Sequence, residues 1–550
     1  MRRTRGWWRA GALMLALALV VVACDDDGDG NGGNGESERS RVVVGVEDFP
    51  AVLNNISFDS NAWTGWIAGP ALARGYKLLP DFTYEPWVFE DDCTIDTEEP
   101  FTVSCRIRED ASWSDGTPIT ADDFEFTYET IMSPDNAETV LSVTGYENIT
   151  GFEVVSPTEF RMVFDGPYAA YRDLWAGTTS TILPAHALEG WDFNTDWNEC
   201  ICVPETGEPI GSGPFLVESF TPDQEVTLVK NDAYWDGEAN LDEVVFVPTP
   251  DADAELNALD GDDVQVVYPQ ETSQLRQRLE AIDGVNLETG LGLSWEHLDL
   301  LVTAPGLDDL AVRRAIATAL PRQDVVDNVA RPVDDDATVQ DNSIYVPTQD
   351  EYEPNWELYS AAGDVDEANA MLDAAGWTRT GDVRSRDGVE LRFTIGTTAG
   401  DVGRESTEQI IQDRLAEIGI VVEIDNVGES AFFDRVDAFE YPMAIFANDS
   451  SPDPSWVNAV YPTDAPFNGT QQSNEQVDAL LEQANGETDP DARAALLNTA
   501  DSIMAEEVVA VIPLYQKPAH LAFLDSVSGL QLNVTIDGFT WNIEEWERTG

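Results

Sequence analysis

Three features of the sequence predict an α/β fold for the body of this chain. The clearest is a strand–helix–strand unit. Leu391, Phe393 and Ile395 alternate with polar residues, as in a strand with one buried face. A helix follows over 404–418 with Ile411, Leu415 and Ile418 inward, Gly419 stops it, and 420–424 is the next strand. Two strands joined through a helix run parallel, which places the unit in an α/β domain. Strand and helix signals also alternate through most of the remaining body. Finally, the helical stretches carry their own stops, such as Gly376 and Pro321.

In chain order, 42–46 is a short buried strand. Thr120 begins a helix as N-cap, with Asp123 three residues on and Phe124, Tyr128 and Ile131 at helical spacing. Residues 307–320 form a helix closed by Pro321. Another spans 366–375, with Ala368, Met371, Leu372 and Ala375 on one stripe. Two late helices lie near 475–484 and 490–507. These apolar stripes are read as core packing. No fixed-period repeat is visible.

The N-terminus reads as an export signal. Arg2, Arg3, Arg5 and Arg9 precede an unbroken apolar run at 10–22, which is short of the about 20 residues a spanning helix needs. The run ends in Val21-Val22-Ala23-Cys24, which resembles a bacterial lipobox and implies a signal peptide over 1–23 and a lipidated Cys24. Residues 24–40 are polar and Gly-rich, a composition that cannot bury a core and serves as a disordered tether. Asp25, Asp27, Asp29, Gly30 and Glu36 mimic an EF-hand loop, but Gly32 stands where an apolar residue is needed and no helices flank it. The expected place of the protein is extracytoplasmic, anchored to the cell membrane as a lipoprotein.

Composition excludes several functions. Lys and Arg total 29 against 104 Asp and Glu, a net charge of −75. Nucleic acid is excluded as a partner, because phosphate contacts need basic residues. The excess reads as adaptation to salty surroundings, where counterions screen the repulsion. Beyond Cys24, four cysteines remain: Cys93, Cys105, Cys200 and Cys202. An even number outside the cytoplasm suggests disulfides. Cys93 and Cys105 bracket two short strands around a Glu-Glu-Pro turn, where a bridge fits; Cys200–Cys202 would close a tight ring, so cross-pairing stays open. Cys-Ile-Cys does not match zinc spacing, and His186, His297 and His520 are scattered, so no metal site and no cofactor is expected. No nucleophile elbow, P-loop or zincin motif is present, and no catalytic residue is assigned.

Several segments together resemble the family 5 extracellular solute-binding proteins, the oligopeptide- and dipeptide-binding components of ABC transporters. They are Arg106-Ile-Arg108 with Trp113-Ser-Asp-Gly-Thr-Pro-Ile-Thr-Ala-Asp-Asp-Phe124, then Leu183-Pro-Ala-His-Ala-Leu188 and Ile210-Gly-Ser-Gly-Pro-Phe215. Asn231-Asp-Ala-Tyr-Trp235, Leu241-Asp-Glu-Val-Val-Phe246, Val312-Arg-Arg-Ala-Ile316 and Ala319-Leu-Pro-Arg322 follow. The stretch 368–377, Ile418-Gly-Ile420 and Ile512-Pro-Leu-Tyr515 complete the set, in the family's order.

The resemblance implies a two-lobed periplasmic-binding-protein-like fold of type II with an extra inserted subdomain. Lobe one is expected over 41–300 plus 515–550, with the insert at about 86–206, and lobe two over 301–514. The chain would cross near 298–303 and 513–519. The implied function is capture of peptides in the cleft and delivery to the permease subunits, by a monomer and without catalysis. In the family's peptide binders an Asp four residues before a Pro meets the peptide's ammonium, and that position is Ser450 here. Asp449 is the preferred substitute, Asp453 the alternative, and loss of the amine site a third possibility. Phe446 and Asn448 flank this loop, Trp456 follows it, Tyr515 stands at the second crossover, and Trp63 and Trp66 follow the first strand; all six are candidate ligand contacts. Rival readings are an oligosaccharide binder of the same fold, a solute sensor, and a secreted hydrolase.

Overall fold

The computed structural model describes residues 40–549 apart from Asp48, Thr179, 270–273, Asp449 and Ser450, and without the side chains of Glu429 and Ser430. The signal peptide, Cys24, the tether to residue 39 and the preferred amine partner Asp449 lie outside the described residues.

Ten strands form one mixed sheet, in the order Val421–Ile424, Arg392–Gly396, Met443–Asn448, Val285–Leu300, Val511–Leu524, Val266–Val267, Arg41–Val46, Glu243–Pro248, Glu225–Lys230, Phe215–Thr221. The predicted strand–helix–strand unit is there: Arg392–Gly396 pairs parallel with Val421–Ile424 through the helix Val402–Glu417. Asp401 caps that helix, and Gly419 leaves it at φ +77°, a left-handed turn that suits glycine.

Two apolar cores are the largest of those among the described residues. One gathers Val42, Val44, Trp63, Phe124, Trp175, Phe246, Phe523 and Trp546. The other gathers Leu298, Val312, Ile316, Leu372, Phe393, Ile411, Ile445 and Ile512. Val285–Leu300 and Val511–Leu524 run antiparallel beside each other and serve both halves. Val285, Leu287, Ala522 and Leu524 pack with a small cluster near the first core, whereas Leu298, Leu300 and Ile512 lie in the second. The register between these strands shifts from Leu291 to Trp295 and again from Glu296 to His297.

A four-stranded antiparallel sheet in the order Thr94–Glu98, Phe101–Arg106, Glu159–Phe164, Ile149–Ser156 lies within the span expected for the insert. Cys93 is bonded to Cys105 across its first hairpin, and Cys200 to Cys202. The helix Ala121–Ile131 begins with a capping box in which Asp123 accepts the Thr120 N–H at 2.8 Å. Asp123 does more than cap. Its other oxygen accepts Ala185 N–H at 2.9 Å, and burial raises its carboxyl above the ordinary range. Ser114 N–H donates to Gly211 O at 2.7 Å, and His186 meets Asp115 at 2.9 Å. Three of the signature segments are therefore one packed junction.

Gly211 and Gly213 let this junction press against the chain at 70–71. A Cβ on Gly213 would lie 2.2 Å from Pro70 O, and one on Gly211 would lie 2.5 Å from Ala71 O. Both obstacles are main chain, which has no side chain to swing aside. Gly213→Ala is expected to cost about 1–3 kcal/mol, toward the upper end for overpacking, measured by chemical denaturation.

Candidate ligand cleft between the two cores

The Met443–Asn448 strand ends at the loop that sequence reading singles out. Val285–Leu300 pairs with all six of its residues, but Arg392–Gly396 pairs only with Met443 and Ala444. Thr397 Oγ1 donates to Ile445 O at 2.8 Å. From Phe446 to Asn448 no described strand lies along that second edge. The register sets Trp295 opposite Asn448 and His297 opposite Phe446, so these four side chains share one sheet face. The His297 and Phe446 rings meet edge-on at 4.4 Å, and Trp456 approaches Trp295 at 6.4 Å. Trp295 Nε1, Asn448 Nδ2 and Trp456 Nε1 are buried without a hydrogen-bond partner among the described residues. Of the three, Trp456 borders a cavity, where an unmatched donor suits a ligand that brings an acceptor such as a main-chain carbonyl.

Glu296 points to the opposite face, where Arg404 binds it at 2.9–3.1 Å. Tyr515 is its neighbour in register and lines a cavity of about 260 Å³ with Glu296, Gly403 and Lys517. Tyr515 is thus across the sheet from Trp456, not beside it. Trp63 and Trp66 lie together in the first core, where both rings meet Tyr268 and Phe539 and Trp66 Nε1 donates to Ile536 O at 3.1 Å. Of the candidate contacts, Phe446, Asn448 and Trp456 are brought together; Tyr515, Trp63 and Trp66 are elsewhere.

Asp453 has other work. It caps the short turn Pro454–Trp456 by accepting Ser455 N–H at 2.8 Å, and Arg493 grips both its oxygens, one at 2.9 Å. Arg493 comes from the helix Pro490–Ile503, is 8% exposed, and also donates to Ala484 O at 3.0 Å. This anchor fixes the loop within its own half of the molecule. Ser451 Oγ reaches Asp173 Oδ2 at 3.4 Å, and Tyr84 donates to the other Asp173 oxygen. Ala169 N–H donates to Asn485 O at 3.2 Å, a second bond between the halves. Burial, and then the Asp453 charge, push the Asp173 carboxyl up to about 8. Sequence reading passed over Asp173 and Arg493.

The loop separates two cavities. Ser451, Ser455 and Trp456 form one wall of a cavity of about 230 Å³ whose other walls include Tyr146, Tyr168 and Asp173. Pro452 borders a larger one of about 870 Å³, lined from one side by 80–83, 288–291, Leu532 and Val534 and from the other by 348–351. Cavities of several hundred Å³ between packed units are where small ligands bind.

Comparison with known proteins agrees with this architecture. Residues 83–470 match the model of bacterial extracellular solute-binding proteins, family 5. The oligopeptide-binding protein OppA of Mycobacterium tuberculosis is 29% identical over 489 residues, 87% of this chain and 80% of the relative. Among solved structures, the periplasmic EDTA-binding protein EppA superposes with a TM-score of 0.84 at 24% identity, over 94% of this chain and all of that one. The oligopeptide-binding protein AppA of Bacillus subtilis, in complex with a nonapeptide, gives 0.74 at 22% identity, over 93% of this chain and all of that one. With more than half of its length under the family model and a fold shared with these proteins, the chain belongs to the family 5 bacterial extracellular solute-binding proteins.

Proposed function

We propose that this chain is the extracytoplasmic binding component of an ABC importer and that it takes peptides between its halves without making or breaking a bond. The observation that carries this reading is the edge of 446–448, along which no described strand runs, leading into a loop that borders two cavities. An extended peptide adds to such an edge through main-chain hydrogen bonds and leaves its side chains to the cavities, which gives broad specificity. Its relatives in Mycobacterium tuberculosis and Bacillus subtilis are oligopeptide-binding proteins, which supports the same ligand class. Lobe one over 41–300 plus 515–550, lobe two over 301–514, the lipid anchor at Cys24 and the monomeric state belong to this proposal. So does Asp449, which adjoins Asn448, as a partner of the peptide amine.

Mass spectrometry of the solutes that copurify with the native protein tests it. A mixture of short peptides is the expected result. A single sugar or chelate would replace the ligand class, and turnover of any substrate by the purified protein would end the reading.

A further inference from the structure

The smaller cavity has a distinctive electrostatic character. Of the described residues that line it, Asp173 alone is charged. The rest are aliphatic, aromatic or hydroxyl-bearing, including Tyr168, Ser451, Ser455 and Trp456. The described groups that face the carboxylate are Tyr84 and Ser451 hydroxyls, the Asp453 carboxylate and the Arg493 guanidinium. Arg493 is the only cation among them, and it is spent on Asp453 and on Ala484 O. Two carboxylates therefore share one guanidinium at a surface where the halves meet. A buried carboxylate without a cation of its own is costly, so it holds a proton until a cation from outside replaces it.

A guest can supply that charge. We infer that Asp173 receives the ammonium group of the ligand from the half of the molecule that faces the 451–456 loop, as a second carboxylate beside the one proposed for the amine in the preceding loop residues. This deepens the peptide reading and rests on it. The cavity has room for an end residue rather than for a length of chain. Tyr168 and Trp456 line the cavity with aromatic rings, and the hydroxyls of Ser451 and Ser455 accept from an ammonium that carries three donors. The unpartnered Trp456 N–H would then meet the carbonyl of the same end residue. An amine guest would hold the two halves together, since Asp173 lies on one and Ser451 on the other.

Retention of a random hexapeptide mixture by the full chain tests the inference, with the mixture offered once with free amines and once N-acetylated, and bound peptides counted by mass spectrometry. The wild type is expected to retain free-amine peptides at least tenfold better. Asp173→Asn keeps the shape and one acceptor, while its amide N–H can donate to the second hydroxyl, and it is expected to lose most of that preference while holding acetylated peptides as the wild type does. That unchanged retention also reports a folded variant. An unchanged preference in Asp173→Asn overturns the role of Asp173 and leaves peptide binding intact. Retention of neither mixture by the wild type overturns the peptide reading and this inference with it.

Discussion

Arg493→Met is expected to lower the free energy of unfolding by about 3–5 kcal/mol, read from the denaturant midpoint. The guanidinium is nearly enclosed and makes three hydrogen bonds, two to Asp453 and one to Ala484 O. Its removal leaves Asp453 and Asp173 facing each other with no described cation between them. Most of the loss is the cost of an uncompensated buried charge, not the intrinsic strength of the pair. Asp453→Asn in the same chain keeps an acceptor for Ser455 N–H and deletes the stranded charge. The double variant is therefore expected to recover a large part of the stability, and the coupling is read from a double-mutant cycle. A single-variant loss below about 1 kcal/mol would mean that water already screens the pair, as at an exposed surface. Peptide retention should fall in Arg493→Met, because the 451–456 loop loses the contact that fixes its turn.

Asp537→Ala is the second large effect, again about 3–5 kcal/mol. Asp537 is fully buried and binds Arg74, itself 3% exposed, at 2.9 Å. The same carboxylate oxygen accepts Leu78 N–H at 2.9 Å. One side chain thus pins the C-terminal segment to two points of the N-terminal half, where Arg74 also lies over the Trp87 ring at 5.4 Å. The variant should show earlier proteolysis near the C-terminus as well as a lower midpoint. The pairing spans 463 residues of sequence, so the loss reports on long-range closure of the first core rather than on any local element.

What could be read from sequence follows from the range of the forces involved. Helix starts and stops are set by bonds over three or four residues, so Thr120 with Asp123 and the turn at Gly419 were legible before any coordinates. The pattern 391–424 gave a parallel pair because a helix between two strands leaves little choice. The order of the ten strands was not legible: Val511–Leu524 lies between Val285–Leu300 and Val266–Val267, and nothing local in those segments marks partners so far apart. Asp173 was hidden by composition, as one carboxylate among 104 Asp and Glu. Arg493 left a fainter trace that could have been used. With only 29 basic residues in the chain, one set in the apolar run Arg493-Ala-Ala-Leu-Leu497 is a candidate for burial. Trp63, Trp66 and Tyr515 were proposed by analogy with where relatives line a cleft. Here two of them fill a core and the third faces the far side of the sheet.

The two long strands that belong to both cores bear on how a guest is captured. A pair of halves joined by slack linkers would swing freely and stop only on contact. Halves joined through a hydrogen-bonded pair of strands must instead twist a ribbon, and a twisted ribbon pushes back. Each degree of gape stores elastic energy in the backbone, concentrated where the ladder is interrupted between Leu291 and Trp295. The empty molecule then has a preferred angle, and the spring constant of that short stretch becomes a term in its affinity.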